Sequence, residues 1–129
     1  MKIFYSILLF TFVNLIHAQD YAGVYTKNIT TNSGSVIDYK LDLAPDGTYK
    51  VSVFRNLGQN ISVDENFYGN GNWKVINKLI VFSCEELADK NYINLNKTTS
   101  RFDAKNKKEL RFFNCPSLWF KNATLEKIN

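Results

Sequence analysis

The sequence predicts an all-β protein, a single up-and-down antiparallel β-barrel of about eight strands. Three observations carry that expectation. After residue 20, apolar and polar residues alternate with period two in several short runs, and no stretch of useful length keeps a helical period. The runs recur at intervals of about 8 to 12 residues, the spacing of small sandwiches and barrels. The connections are short, so strands adjacent in sequence are expected to be adjacent in space.

The elements follow in order. YAGVYTK, residues 21–27, is a first short strand with Gly23 as a bend. NITTNSG, 28–34, is a polar loop. Ile37, Tyr39, Leu41 and Leu43 then share one strand face, with Asp38, Lys40 and Asp42 on the other. Ala-Pro-Asp-Gly turns the chain, because Pro45 presets φ and Gly47 accepts a positive one. Tyr49, Val51 and Val53 line the return strand. Residues 55–64 read as a second loop. NFYGNGNWKVI, 66–76, is a strand with close-packing or bulge sites at Gly69 and Gly71, and Asn77-Lys78 turns it into LIVFS, 79–83. CEELADKN, 84–91, is a loop or one helical turn. YINLN (92–96), SRFDA (100–104), ELRFF (109–113) and LWFKN (118–122) complete the count, with Lys105-Asn106-Lys107 as a turn and Pro116 opening the last segment.

The ends and the composition bound the function. Residues 1–18 read as a secretory signal peptide: Lys2, an apolar run from Ile3 to Ile16, then His-Ala. The run is shorter than the ~20 residues a membrane-spanning helix needs, so no stable membrane insertion is expected after cleavage. One domain, residues 19–129, remains in a secreted or periplasmic setting. The chain carries 16 Lys and Arg against 12 Asp and Glu; losing Lys2 leaves a mild excess of +3 with no long run of one sign. Export and the absence of such a run argue against a nucleic-acid partner. Cys84 and Cys115 are expected to form a disulfide in an oxidising compartment. Such a bridge closes a loop of about 30 residues and contributes roughly 3–4 kcal/mol. The sole histidine, His17, lies in the leader. The mature chain therefore lacks the commonest general base and zinc ligand, and no catalytic residue, metal or cofactor is expected.

A Gly-x-Tyr (Gly23, Tyr25) precedes a strand-turn-strand, Leu41, Leu43, Asp46, Gly47, Thr48, Tyr49, and a Gly-x-Trp (Gly71, Trp73) opens a later strand before an apolar one, Leu79 to Phe82. This order resembles the small exported lipocalin-like barrels of bacteria, and is similar to the N-terminal barrel of envelope copper-stress lipoproteins. The resemblance covers about half the mature chain and implies a calycin-type barrel, often without enzyme activity. The C-x-x-C and the lipidated N-terminal Cys of the copper-stress type are missing, and the matched positions are turn and wall residues, so no ligand residues carry over.

Sites for chemistry are few. Tyr39, Tyr49, Trp73, Phe82, Phe112 and Trp119 are the candidate interior aromatics. In a wide barrel they would line a pocket for a small apolar ligand; in a narrow eight-stranded one, side chains alone can fill the lumen. Asp64-Glu65 and Glu85-Glu86 with Asp89 lack a calcium-loop pattern, and adjacent acids on a strand point to opposite faces. Asn28, Asn60, Asn96 and Asn122 stand in Asn-x-Ser/Thr triplets within an Asn-rich composition. The loops 28–35 and 55–66 are long for their barrel, and loops on a rigid scaffold are where binding concentrates. The expected function is non-enzymatic: holding a small apolar ligand in or at the mouth of the barrel. The alternative is docking an exported protein partner through the loops, as an inhibitor or immunity-type protein would.

Overall fold

The computed structural model describes residues 21–58 and 63–128; the expected leader, 1–18, lies outside them. The strands are β1 (Gly23–Thr30), β2 (Val36–Leu43), β3 (Thr48–Asn56), β4 (Asp64–Ile76), β5 (Leu79–Ser83), β6 (Thr99–Phe102), β7 (Glu109–Phe113) and β8 (Thr124–Ile128). Each pairs antiparallel with the next, and β8 returns to β1, closing an eight-stranded up-and-down barrel of lipocalin-like architecture.

The alternation does what the sequence says it should. Tyr39, Leu41, Leu43, Tyr49, Val51 and Val53 are buried, whereas Asp38, Lys40, Asp42, Thr48, Lys50 and Ser52 are exposed. The register sets Leu43 against Tyr49, Leu41 against Val51 and Tyr39 against Val53. A one-residue slip would turn this whole set outward, so the apolar face itself fixes the pairing. Each such side chain, fully buried, is worth about 1.5–3 kcal/mol.

The turns have local causes. Gly47 has a φ of +92°. Asp46 Oδ1 accepts from the backbone N–H and hydroxyl of Thr48, at 2.9 and 2.7 Å. The Trp73 indole N–H reaches across to the Ala44 carbonyl at 2.9 Å, tying this turn to β4. Asn77 and Lys78 both carry positive φ, 52° and 67°, the requirement of a type I′ hairpin.

The two ends of the barrel differ. Residues 44–47, 77–78 and 103–108 connect strands at one end; 31–35, 57–63, 84–98 and 114–123 connect them at the other. Two of the long connections turn inward and plug the second end, burying Ile93 and Leu95 from the first and Phe120 from the second.

Those plugs account for the main departures from the expected elements. YINLN is not a barrel strand. It runs beside the upper half of β4 in a single parallel bridge, Tyr68 to Tyr92, where the Tyr68 N–H donates to the Asn91 carbonyl at 3.0 Å and the Ile93 N–H to the Tyr68 carbonyl at 2.7 Å. LWFKN is a pair of consecutive turns, Phe120 N–H to Ser117 carbonyl and Ala123 N–H to Phe120 carbonyl. The last strand is TLEKI, downstream of it. β1 also runs on through Asn28–Thr30, paired with Val36–Asp38, so the first loop is shorter than expected.

The expected Cys84–Cys115 disulfide is not formed: both are free, half-buried thiols. Cys84 follows β5 and Cys115 follows β7, with β6 between them. The Cys84 thiol instead donates to Asn94 Oδ1 at 3.4 Å.

Candidate functional site

The interior aromatics meet one another. Rings pack in sequence from Tyr49 to Phe82 (centroids 5.2 Å apart), Phe112 (5.8 Å), Phe120 (5.1 Å) and Tyr39 (5.5 Å), and Tyr39 then reaches Trp119 at 6.5 Å. Tyr39, Tyr49, Phe82 and Phe112 are buried wall residues, and so is Trp73, bound to the turn carbonyl. These five belong to one closely packed core. Trp119 differs. It is half-buried and sits on the 114–123 connection.

The site with free groups lies above this core, at the end of the long connections. Two rows of inward residues build it. The register aligns Lys27, Tyr39, Val53 and Phe67 across β1 to β4, and Ile29, Ile37, Arg55 and Glu65 one row nearer the rim. Phe67 and Trp119 stack at a tilt with centroids 4.8 Å apart. The Arg55 guanidinium lies over both rings, 5.1 Å from the Trp119 centroid and 5.9 Å from that of Phe67. Such contacts are worth about 0.5–2 kcal/mol each, more as they are desolvated. Arg55 is also bound to Glu65, its Nε donating at 2.9 Å and its Nη2 to the same oxygen. Both partners are about one-third exposed (30% and 31%), so the pair orients the guanidinium more than it stabilises the fold.

Lys27 sits differently. Its Nζ stands 6.0 Å from the Tyr39 ring centroid. Among the described residues no carboxylate comes within ion-pair distance of it; the two ion pairs are Arg55–Glu65 and Arg111–Asp103. Burial raises the Tyr39 phenol above its ordinary value, which keeps it a neutral hydroxyl donor at physiological pH.

A hollow of about 440 Å³ adjoins the same rim, lined by Asp64, Glu65, Asn66, Phe67, Lys90 and Asn91. It shares Glu65 and Phe67 with the aromatic ledge. Asp64 and Glu65 point to opposite faces, as adjacent strand residues must: Asp64 accepts from Asn56 on the outside, and Glu65 binds Arg55 on the inside. Glu85, Glu86 and Asp89 are exposed. Hydrogen bonds from the Asn91 backbone and the Tyr68 hydroxyl lower the Asp89 carboxyl from its ordinary value.

Deeper in, three buried hydroxyls, Tyr49, Thr98 and Ser100, have no hydrogen-bond partner among the described residues. Burial, with a smaller contribution from neighbouring Cys84, pushes the Tyr49 phenol far up. Burial likewise raises the Cys115 thiol.

Lys27, Arg55, Glu65 and Phe67 are absent from the sequence-derived candidates. The parity that placed Tyr49 and Val53 inside extends to Arg55, which was hidden because residues 55–64 read as a loop, although strand pairing continues through Asn56. Lys27 lay in the strand read over 21–27, to which no inner face was assigned. Compared with protein-family models, with curated proteins and with solved structures, the chain matches none.

Proposed function

We propose that this is an exported, non-enzymatic binding protein that holds a small apolar ligand at the mouth of its barrel. The observation that supports this reading is the half-buried ledge of Phe67 and Trp119, roofed by Arg55 and standing directly above a lumen filled by its own side chains. Ligand sites combine apolar walls with a few oriented polar groups, and this rim has both. The close packing of Tyr49, Phe82 and Phe112 favours the ledge over the lumen as the seat of the ligand.

The test is titration with the neutral fluorophore N-phenyl-1-naphthylamine. Saturable enhancement of dye emission is expected, weakened in Phe67→Ser and unchanged in Leu118→Ser, whose parent side chain is 86% exposed on the same connection as Trp119. No saturable binding would overturn the reading. A second reading, docking of an exported protein partner, draws on the joined loops: the Ser35 hydroxyl donates to the Leu57 carbonyl at 3.0 Å, and Leu57 and Val63 stand exposed nearby. A stable one-to-one complex surviving gel filtration, lost on Leu57→Asp, would favour it.

A further inference from the structure

We infer that the ligand of the mouth carries an oxyanion, a carboxylate or sulfonate, which Lys27 and the Tyr39 hydroxyl hold while its apolar body lies on Phe67 and Trp119. This rests on the mouth reading above and names the chemical class of what binds there.

The charge of the rim is the starting point. Three ionic side chains face inward in its two rows: Lys27, Arg55 and Glu65. Arg55 and Glu65 satisfy each other. Lys27 is left with a positive charge, half-buried, over a ring and without an acid among the described residues. Taking an ammonium partly out of water is unfavourable unless a partner compensates. A cation–π contact at 6.0 Å, the outer limit of that interaction, compensates only partly.

Tyr39 supplies the second donor. Lys27 and Tyr39 are direct cross-strand partners, so the ammonium and the phenol project into the same space. The Tyr39 ring is fixed edge-on against Phe120 and Trp119, at 90° and 70°, and its hydroxyl makes no hydrogen bond among the described residues. An ammonium and a hydroxyl side by side make charge-assisted hydrogen bonds to one oxyanion.

The same row sets the ligand's size. Phe67 stands two strands beyond Tyr39 in register, about 10 Å away at the usual strand spacing. The class is therefore a compact amphiphile: an anionic group with one or two rings, or a short acyl body, attached.

Two dyes with one ring system test this. 1-Anilinonaphthalene-8-sulfonate and N-phenyl-1-naphthylamine differ by the sulfonate alone. The wild-type protein is expected to bind the sulfonate about tenfold more tightly, a difference of about 1.4 kcal/mol, and the preference should shrink as salt rises. Lys27→Gln should weaken the sulfonate selectively and so abolish the preference; Lys27→Arg should keep most of it; Tyr39→Phe should reduce it. Equal binding of both dyes by the wild type, or equal weakening of both by Lys27→Gln in a protein with native far-UV circular dichroism, would overturn the inference and leave the mouth reading standing. Binding of neither dye would overturn both.

Discussion

Replacing Phe120 with Ala probes whether the 114–123 connection belongs to the core or merely rests on it. Phe120 is fully buried, with its ring 5.1 Å from Phe112 and 5.5 Å from Tyr39, so it joins β7 to β2 across the barrel. Truncation removes the ring's transfer energy and leaves a void that a closed wall cannot collapse to fill. The cost for a site of this kind is about 3–5 kcal/mol. That is a large share of the roughly 5–15 kcal/mol that stabilises a domain. In equilibrium urea unfolding, with m near 2 kcal/mol/M, the midpoint should fall by about 2 M with no change in m. Leu118→Ala, two residues earlier and almost wholly solvated, should cost no more than about 0.5 kcal/mol. The two tryptophans divide the readout. Trp119 reports the connection and Trp73 the wall, and both should lose native emission in one transition. A midpoint shift below ~0.5 M, with Trp119 emission altered before unfolding begins, would refute the reasoning: the connection would then be an independently mobile flap.

Gly69→Ala should cost about 1–3 kcal/mol by overpacking, since a Cβ there would strike the Ile93 carbonyl and come within 3.0 Å of Val51 Cγ1; thermal melting checks it, and an unchanged melt would mean that 84–98 does not lie against β4. Alkaline pH should destabilise the fold. Burial raises the phenols of Tyr25 and Tyr49 strongly, and burial with neighbouring Cys84 raises Tyr92 to about 12, so the folded state holds those protons after the unfolded state has released its own. Stability is intact below the unfolded value near 10 and declines as pH rises above it; absorbance at 295 nm should show the phenols of Tyr25 and Tyr49 ionising only with unfolding. Alkylation without reductant should modify two thiols per chain in denaturant, with Cys84 and Cys115 both free; a mass showing none would mean the bridge forms after a shift of 114–123.

Where local pattern and tertiary pairing agree, the fold is legible in sequence. The Leu41–Val53 hairpin, its Asp46-Gly47 turn and the Asn77-Lys78 turn each rest on interactions between near neighbours. Legibility fails where long-range contacts decide. YINLN alternates like a strand, and its Ile93 and Leu95 do point inward, yet its neighbour on one side is the upper half of β4 and it pairs there by one bridge. Phe120 lies in an apolar run that looks extended, but Asn122 takes a φ of +58° and the chain turns instead. TLEKI has only two strongly apolar residues, and its strand status derives from closing the barrel against β1 and β7. The site was hidden for the same reason. Arg55 and Glu65 look like polar loop residues until pairing through Asn56 puts them on the inner wall opposite each other.

The placement of the chain ends bears on how this molecule can be handled. β1 begins and β8 finishes as neighbours, Val24 beside Ile128, on the side of the barrel that carries only tight turns. A tag or tether joined directly before Tyr21 or after Ile128 therefore departs from the blunt face, and the ledge of Phe67 and Trp119 points away from the support. The same adjacency lets a short linker join Ile128 to Tyr21 in a version limited to residues 21–128, so that a circular permutant could open at residues 31–35 without disturbing any hydrogen-bonded pair of the wall.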